Sequence, residues 1–504
     1  MSRRQWMAIV AMAGIVSGCG SMRPEFKAPA LDVPDGFREA AAALPPEERG
    51  AWKKGEPAEA AARGEWWKAF GDPVLEGLIV DGTRNNPGLQ AAAARVRQAR
   101  AILGITEADR GVQLSAGAGP ISTRPSPASL GLPPGADAPA RSLWRGTAVA
   151  SYEVDLFGRL KDQSAAARSD AEGAEATLRS VVLALQADVA RTYFELREAD
   201  ADRRLLLEAL RIRESNLTLL QRRFDAGAIG EFDVTRAKGD LAATRSDLHA
   251  ADARRARLDH ALAVLVGRPP TRLSLEAGGK AWEVPSVPAG LPSALLERRP
   301  DIVAAQRALV AANARIGVAK AAFFPSLRLT GNAGFESDAL GDLFRWSSRT
   351  WFLGPFIGGL VSVPILDGGR NKAGLERARA AYEEAVGEYR QRVLVAFGDV
   401  EDGLSGLRGL AGQAEAAREA ITAARRAAQL ARIRYDAGAV TYLEVLEAER
   451  FALEAERAGN RVDAARALGT VSLIRSLGGG WGPVVGTAAA PGAASGTTAS
   501  PVGK

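Results

Sequence analysis

The longest regular pattern in the chain is helical. Between Gly158 and Phe224 there is no proline, and apolar side chains recur at intervals of three and four residues. They include Leu178, Val182, Leu185 and Val189, followed by Leu207, Leu210, Leu217 and Phe224. This coiled-coil spacing predicts a helix of roughly 65 residues, about 100 Å long at about 1.5 Å per residue. Shorter helices are expected at about Pro87–Arg110 and Gly230–Val266.

Between the helical regions the period changes to two. In the stretch from Ser142, apolar residues alternate with polar ones; the apolar set is Trp144, Ala148, Ala150, Tyr152, Val154 and Leu156, and the polar set is Arg145, Thr147, Ser151, Glu153 and Asp155. Trp144 and Tyr152 are separated by about 26 Å of strand at about 3.3 Å per residue. This matches the apolar band of an outer-membrane barrel, with both residues in its aromatic belts. A half-buried strand of a soluble sheet is the alternative that the pattern leaves open.

The chain contains two copies of one unit. "RRFDAGAIGEFDVTRAK" from Arg222 matches "IRYDAGAVTYLEVLEAE" from Ile433 at an offset of 211. "NPGLQAAAARVRQARAILGITEA" from Asn86 matches "RPDIVAAQRALVAANARIGVAKA" from Arg299 at an offset of 213. Because separate blocks, including glycines and prolines, keep nearly one offset, the sequence indicates a tandem duplication.

These patterns predict the following organisation. The segments are a signal peptide at 1–18, a tether at 19–65, a first repeat at 66–290, a second repeat at 291–481 and a disordered tail at 482–504. Strands are expected at about 112–122, 143–156, 325–336 and 351–365, and hairpin tips at about 224–230 and 435–441. For the last of these strands, the sequence does not show which face would contact lipid.

The N-terminus resembles a bacterial lipoprotein signal. "MSRRQWMAIVAMAGIVSGCG" has a basic start, an apolar run and small residues before Cys19, the only cysteine of the chain. This resemblance implies cleavage before Cys19 and its acylation, with Gly20 favouring the outer membrane. An ordinary signal peptide that ends by chance at a cysteine is the alternative.

Composition disfavours several other classes of function. The 65 Lys and Arg and the 59 Asp and Glu are interleaved, which is typical of solvated helix faces and not of a nucleic-acid site. With only His249 and His260 beside one cysteine, no zinc cluster is expected, and no nucleotide-binding or hydrolase motif occurs. We therefore expect no enzyme and no cofactor other than the lipid on Cys19.

A membrane protein with these elements has to cross the bilayer by strands. The mature chain has no uninterrupted apolar run of about 20 residues, so no transmembrane helix is expected. Four strands cannot close, and an open sheet edge is not tolerated in hydrocarbon. Three chains would supply twelve strands. The expected fold is α+β, with long coiled-coil hairpins and four transmembrane strands per chain.

With these features the chain resembles the outer-membrane factor of bacterial tripartite efflux pumps, a TolC-like protein of the lipoprotein-anchored NodT/OprM-type branch. The motifs that carry the resemblance are "WWKAFGDPVLEGLIVDGTRNNPGLQAAAARVRQARA" from Trp66, "YEVDLFGRL" from Tyr152, "VPILDGGRNKA" from Val363 and the two tips. The resemblance implies a homotrimer in outer-membrane lipid, with a 12-stranded β-barrel on an α-helical barrel. It also implies a periplasmic adaptor and an inner-membrane pump of the resistance-nodulation-division type.

The resemblance further assigns roles at the tips. Leu443 matches the aliphatic constriction, Glu447 matches a ring carboxylate with glutamate in place of the usual aspartate, and Arg434 and Tyr435 match residues that brace the closed mouth. We expect Arg236 or Arg434 to pair with Glu447. Exposed surface charges, worth about 0–1 kcal/mol per pair, are the alternative.

Small residues at the tips are the expected adaptor contacts: Gly227, Ala228, Gly438 and Ala439. Two rival functions share parts of this pattern. A type I protein-secretion duct has the same architecture with another pump, and a lipid-anchored coiled-coil scaffold would explain the helices but not the alternating strands.

Overall fold

A computed structural model describes residues 20–31, 34, 36–39, 65–133, 135–278, 285, 299–353 and 359–479. Its helices are α1 (Pro73–Asn85), α2 (Pro87–Ala108), α3 (Arg159–Asp225), α4 (Glu231–Leu265), α5 (Pro300–Ala321), α6 (Arg370–Asp436) and α7 (Tyr442–Ser476). Its strands are β1 (Gln113–Thr123), β2 (Arg141–Val154), β3 (Ser326–Ser337), β4 (Arg349–Leu353) and β5 (Gly359–Ser362). The signal peptide, Cys19 and the tail at 482–504 lie outside the described residues.

The duplication inferred from the sequence is visible in the lengths of the helices. The helices α2 and α5 have 22 residues each, α3 and α6 have 67 each, and α4 and α7 have 35 each. In both halves the order is helix, strands, long helix, turn, helix. The α+β fold class is confirmed. Two compact units are distinguished within the chain, and each takes segments from both repeats.

The first unit comprises residues 1–32, 91–178 and 301–393 and contains the sheet. Strand β1 pairs with β2, and β2 pairs with β3, in antiparallel fashion. On its other side β3 pairs with β4 through 331–335 and with β5 through 326–329. Since β4 and β5 lie along the same side of β3, they occupy one strand position. The sheet therefore has four positions, and the region expected as one strand at 351–365 contains β4, undescribed residues 354–358 and β5.

The second unit comprises residues 33–90, 179–300 and 394–504 and has an aromatic core. Trp66, Trp67 and Phe70 of the "WWKAF" turn are buried, and Phe70 packs on Phe194 of α3 with ring centroids 4.9 Å apart. Asp72 caps α1 by accepting hydrogen bonds from its first-turn amides, and it also accepts one from the Tyr193 hydroxyl. The segment before α1 is thus fastened to α3 by packing and by a shared carboxylate.

The apolar residues predicted for the second half of α3 are only partly buried in the protomer, although Leu217 packs against buried residues near the hairpin tip. Leu207 and Phe224 are both 37% exposed, whereas Leu206 and Leu220 are fully buried. A straight helix has 3.6 residues per turn, so positions spaced by a strict seven-residue repeat rotate slowly around its axis. Residues extrapolated along a long helix therefore end up beside the buried face and not on it. The buried face also contains a polar residue, Asn216, which interrupts the apolar pattern in the sequence.

The sequence predicted no transmembrane helix, but one of the described helices meets the length and composition criteria for a membrane span. Helix α5 is long and apolar enough to cross a bilayer by length and composition alone. Half of its most apolar window is buried inside the protein, which is typical of a core helix. The sequence prediction had relied on a run free of charges, and α5 contains several charged residues among small apolar ones.

Candidate functional site

The first hairpin tip is the turn between α3 and α4. Two backbone hydrogen bonds of 2.8 Å close it, from Gly227 to the carbonyl of Phe224 and from Ala228 to the carbonyl of Arg223. Gly227 has a φ of +73°, a conformation that a residue with a Cβ adopts only at a cost. A glycine at this position therefore ends the long helix and reverses the chain.

The second tip, between α6 and α7, repeats the same geometry. Gly438 also has a φ of +73°, and its amide bonds the carbonyl of Tyr435 at 2.9 Å. The Ala439 amide bonds the carbonyl of Arg434 at 2.8 Å. Gly227, Ala228, Gly438 and Ala439 are all exposed. Both turns thus present small residues to the surroundings of the protomer.

An apolar cluster, here called the tip core, joins the two hairpins. It consists of Leu220, Val234, Ala237, Tyr435, Tyr442, Val445 and Leu446, all buried. The rings of Tyr435 and Tyr442 lie edge to face with centroids 5.7 Å apart. Because the cluster draws on both repeats, it fixes one tip against the other within the protomer.

A polar contact also crosses between the hairpins at Tyr435. The Arg223 guanidinium of α3 donates a hydrogen bond of 2.7 Å to the Tyr435 hydroxyl, and its carbon lies 5.0 Å from the centre of the same ring. The sequence interpretation identified Tyr435 as a bracing residue but missed Arg223. The matching position in the second repeat is Arg434, which is exposed.

Of the two arginines expected to pair with Glu447, Arg236 is the one in contact. One of its terminal nitrogens lies 3.6 Å from a carboxylate oxygen of Glu447. The Glu447 side chain is 63% exposed and that of Arg236 is 34% exposed, so this is a solvated ion pair. Leu443, one turn before Glu447, is half-buried.

A second polar cluster lies next to the tip core and was missed from the sequence. Buried Asn216 of α3 accepts a hydrogen bond of 2.8 Å from Arg432 and donates one of 3.4 Å to Glu449. Burial raises the pKa of Glu449. Burial, and secondarily the charge of Glu449, raises the pKa of Tyr442 to about 12. The only sequence signal is an asparagine among the leucines of α3.

The sheet separates polar from apolar side chains as the alternation predicted. On the polar face Arg145 bonds Glu336, its cross-strand partner, with a shortest distance of 2.6 Å. Glu153 pairs with Arg159 at 2.7 Å and with its cross-strand partner Arg328 at 3.5 Å. Cross-strand neighbours share a face, so these charges form a ladder along one side of the sheet.

The apolar face carries the two aromatic residues predicted for the membrane belts. Trp144 is half-buried and Tyr152 is 36% exposed in the protomer. Trp351 is paired with Ala333, which is itself paired with Ala148. Trp351 therefore lies on the same face as Trp144 and Tyr152, and the register resolves the facing of β4.

The segment that follows Cys19 is held by the first unit. The Ser21 hydroxyl donates to both carboxylate oxygens of Asp162, at 2.6 and 2.7 Å, and Asp162 is fully buried. A Cβ on Gly317 would approach Asp162 to 2.1 Å, so only glycine leaves room for this contact. Cys19 itself lies outside the described residues, but the chain two positions later is fixed.

The part of the chain that the structure describes contains no group of three or more His, Cys, Asp or Glu arranged to hold a metal ion. The arrangement at the tips and on the sheet consists of packing, ion pairs and hydrogen bonds. These interactions position helices at the tips and strands in the sheet.

Known proteins resemble the chain over nearly its whole length. The family model described as outer membrane efflux protein matches residues 78–268 and 291–479. The cation efflux system protein CusC of Escherichia coli O6:H1 is 34% identical over 476 residues, which cover 94% of this chain and 97% of CusC. The probable outer membrane lipoprotein SilC of Salmonella typhimurium is 32% identical, with coverage of 93% and 97%. The open-state MtrE outer membrane channel of Neisseria gonorrhoeae superposes with a TM-score of 0.77 at 30% identity, covering 92% of this chain and 98% of that one.

Proposed function

The chain belongs to the outer membrane efflux protein family and is an outer-membrane efflux channel, and we propose that three copies of it close one channel. The sheet supports this number. It ends at β1 on one side and at β4 and β5 on the other, which leaves two edges within the described residues. Unpaired edges are not tolerated in hydrocarbon, so edge must pair with edge between copies. Three sheets of four positions give a barrel of twelve strands.

The path through such a barrel would be polar. The ladder of Arg145, Glu336, Glu153 and Arg328 lies on the face opposite Trp144, Tyr152 and Trp351. Aromatic residues on the lipid side and charged residues on the lumen side are typical of outer-membrane barrels. The channel would conduct passively what an inner-membrane pump of the resistance-nodulation-division type delivers through a periplasmic adaptor. CusC, a relative of matching length, is named as part of a cation efflux system.

The gate is proposed at the second tip. Leu443 and Glu447 would form the constriction, Arg236 would hold Glu447, and Tyr435 would brace the mouth with Arg434 beside it. The supporting observations are the Arg236–Glu447 contact of 3.6 Å and the insertion of Tyr435 in the tip core. The related MtrE channel has been solved in an open state, so opening is a property of that relative.

The adaptor is proposed to contact the small residues of the two turns, Gly227, Ala228, Gly438 and Ala439. All four are exposed, and a Cβ added to either glycine would meet no atom of the protomer within 4 Å. Small side chains let a partner's helix approach closely.

The lipid anchor is proposed at Cys19, which precedes the docked Ser21 by two residues. SilC, named a probable outer membrane lipoprotein, is similar over 93% of the chain.

The experiment that tests the assembly is native mass spectrometry of the full protein released from detergent. We expect a complex of three chains, each carrying the mass of the acyl groups on Cys19. A monomer that forms no higher species would contradict the closed barrel and would return the lipid-anchored scaffold to consideration. Co-purification with an ABC exporter in place of a resistance-type pump would indicate a type I secretion duct.

A further inference from the structure

The first residues after the lipid-anchor position lie in a socket at the start of α3. The Ser21 hydroxyl donates hydrogen bonds to both carboxylate oxygens of Asp162, which is fully buried. Gly158, just before α3, is also buried, and a Cβ added to it would approach the Ser21 Cα to 2.7 Å. A glycine at this position therefore lets the backbone of Ser21 lie directly against the start of α3.

The docked segment runs along α5, away from the sheet. Arg23 lies against Gly317, because a Cβ on that glycine would approach the Arg23 Cβ to 2.7 Å. The Pro24 carbonyl accepts a hydrogen bond of 3.0 Å from the Asn313 side chain. Helix α5 leads into β3, so along the helix Asn313 is farther from the sheet than Gly317. Traced backwards from Ser21, the chain therefore points towards the sheet.

An exposed aromatic surface lies at that end of the socket. Phe157, the neighbour of Gly158, stacks on Phe324 with ring centroids 4.7 Å apart and an angle of 23° between the rings. Phe324 is 40% exposed in the protomer, and Phe323 beside it is 44% exposed. We call these three phenylalanines the aromatic platform. The platform lies where the helices meet the strands, at the boundary of the membrane-spanning sheet.

The matching positions of the other repeat units lack both the platform and the carboxylate. The helices of the two repeats have equal lengths, so matching positions can be counted from the helix ends. The counterparts of Phe157, Phe323, Phe324 and Asp162 are Gly368, Arg110, Gly111 and Ala373, respectively. The aromatic rings and the buried carboxylate thus occur together at the junction where the N-terminal segment docks. This is expected if both serve that segment.

Building on the lipid anchor proposed above, we propose that the aromatic platform is a binding site for the acyl chains carried by Cys19. Two extended residues span at most about 7 Å, so the anchor begins beside the rings once Ser21 is docked. Acyl chains that cover exposed rings remove apolar surface from water. The platform thereby holds the lipid against the base of the sheet.

The test is photocrosslinking of the full protein in its native membrane, with Phe324 replaced by p-benzoylphenylalanine. We expect an adduct with the acylated N-terminal peptide of the same chain, identified by mass spectrometry. The control position is Phe344, an exposed phenylalanine beyond the other end of β3. Its yield of this adduct should be at least about tenfold lower, because a tethered group has a high effective concentration only near its site.

Three results would overturn the proposal. They are equal yields at the two positions, adducts of position 324 with membrane phospholipid alone, and adducts that double the mass of the chain on a denaturing gel. The last result would show that a second copy covers the platform.

A variant of the socket links the docked segment to the platform. Ser21→Ala removes the hydrogen bonds to Asp162, and we expect the yield at position 324 to fall about fivefold, the effect of weakened docking. Ser129→Ala is the control, because the Ser129 hydroxyl bonds a turn outside the socket, and it should leave the yield unchanged. An unchanged yield in Ser21→Ala would contradict delivery of the lipid by the socket.

The intact mass of the same protein reports acylation independently of crosslinking. An unacylated Cys19 would refute the lipid anchor and, with it, the platform as its site. An acylated protein that gives no adduct with its own N-terminal peptide would refute the platform alone.

Discussion

The Arg223 guanidinium donates a hydrogen bond of 2.7 Å to the hydroxyl of Tyr435, across 212 positions of sequence. The two residues stand in the last turns of the long helices of the two repeats. The same guanidinium lies 5.0 Å from the ring centre. One side chain thus holds the second hairpin to the first by a charge-assisted hydrogen bond and by a contact with the aromatic ring.

Tyr435→Phe removes this hydrogen bond and keeps the ring in the tip core. We expect the brace to weaken by about 1–3 kcal/mol, since the lost bond involves a charged donor. If closure of the mouth depends on it, the open probability in planar bilayers rises severalfold. Tyr389→Phe is the control, because Tyr389 is also buried but lies in the other unit. An equal rise in the control would assign the effect to loss of any buried hydroxyl.

The Arg236–Glu447 pair is open to a charge-reversal cycle. Arg236→Glu and Glu447→Arg each place like charges together, and the double variant restores an attractive pair. Because Glu447 is 63% exposed, we expect a coupling energy below about 1 kcal/mol that shrinks as salt is raised. The measurement is open probability at two salt concentrations. Additive effects of the two reversals would show that the residues do not interact.

The tip glycines are expected to resist substitution by alanine. Gly227→Ala forces a Cβ into the left-handed region at a cost of about 1–2 kcal/mol, so the tip should open more often and exchange its amide hydrogens faster by about five- to thirtyfold. Gly239→Ala gives the opposite sign, since Gly239 lies inside α4 with no atom near an added Cβ. Gly239→Ala should slow amide hydrogen exchange by up to about fivefold, because alanine is more favourable than glycine inside a helix by about 1 kcal/mol.

Burial raises the pKa of Glu449 above its ordinary value of 4.5, although Arg432 and Arg213 oppose the shift. Asp240 on α4 and Tyr442 on α7 face it as well. The folded chain therefore holds the proton at pH values where the unfolded chain has lost it. Consequently, the contribution of Glu449 to the free energy of unfolding declines as pH rises from about 4.5 through the raised value.

Glu449→Gln removes this titration. We expect the difference in thermal unfolding midpoint between the variant and the wild type to grow in favour of the variant over that pH interval. Glu454→Gln, on the solvent side of the same helix, should show a constant difference. A difference for Glu449→Gln that does not change with pH would mean that its carboxyl titrates alike in the folded and unfolded states.

Features set by local chemistry were accessible from the sequence. The positive φ of Gly227 and Gly438 is the reason glycine stands there, so the turns could be placed from the two DAG motifs. The alternation of polar and apolar residues predicted β2 and β3, because each of these strands has one polar face and one apolar face. The equal helix lengths follow from the repeat.

Contacts between distant segments were not accessible. Nothing in the local pattern joins Ser21 to Asp162 or Arg223 to Tyr435, because these pairs depend on how helices pack. The burial of Asn216 was not predictable either, because it depends on how one face of a helix of 67 residues packs against its neighbours. Only a packed structure shows that Glu449 lies beside it.

The most direct test of a duct gated at the second tip is single-channel conductance in planar bilayers, with wild type beside Leu443→Ala/Glu447→Ala. Leu430→Ala/Glu454→Ala is the control, because it removes the same two types of side chain at exposed positions of α6 and α7. The account predicts a small, cation-favouring conductance for wild type and control, and a severalfold larger one for the Leu443 and Glu447 variant. Equal conductance in all three would contradict the gate, and silence from all three despite insertion would contradict the duct.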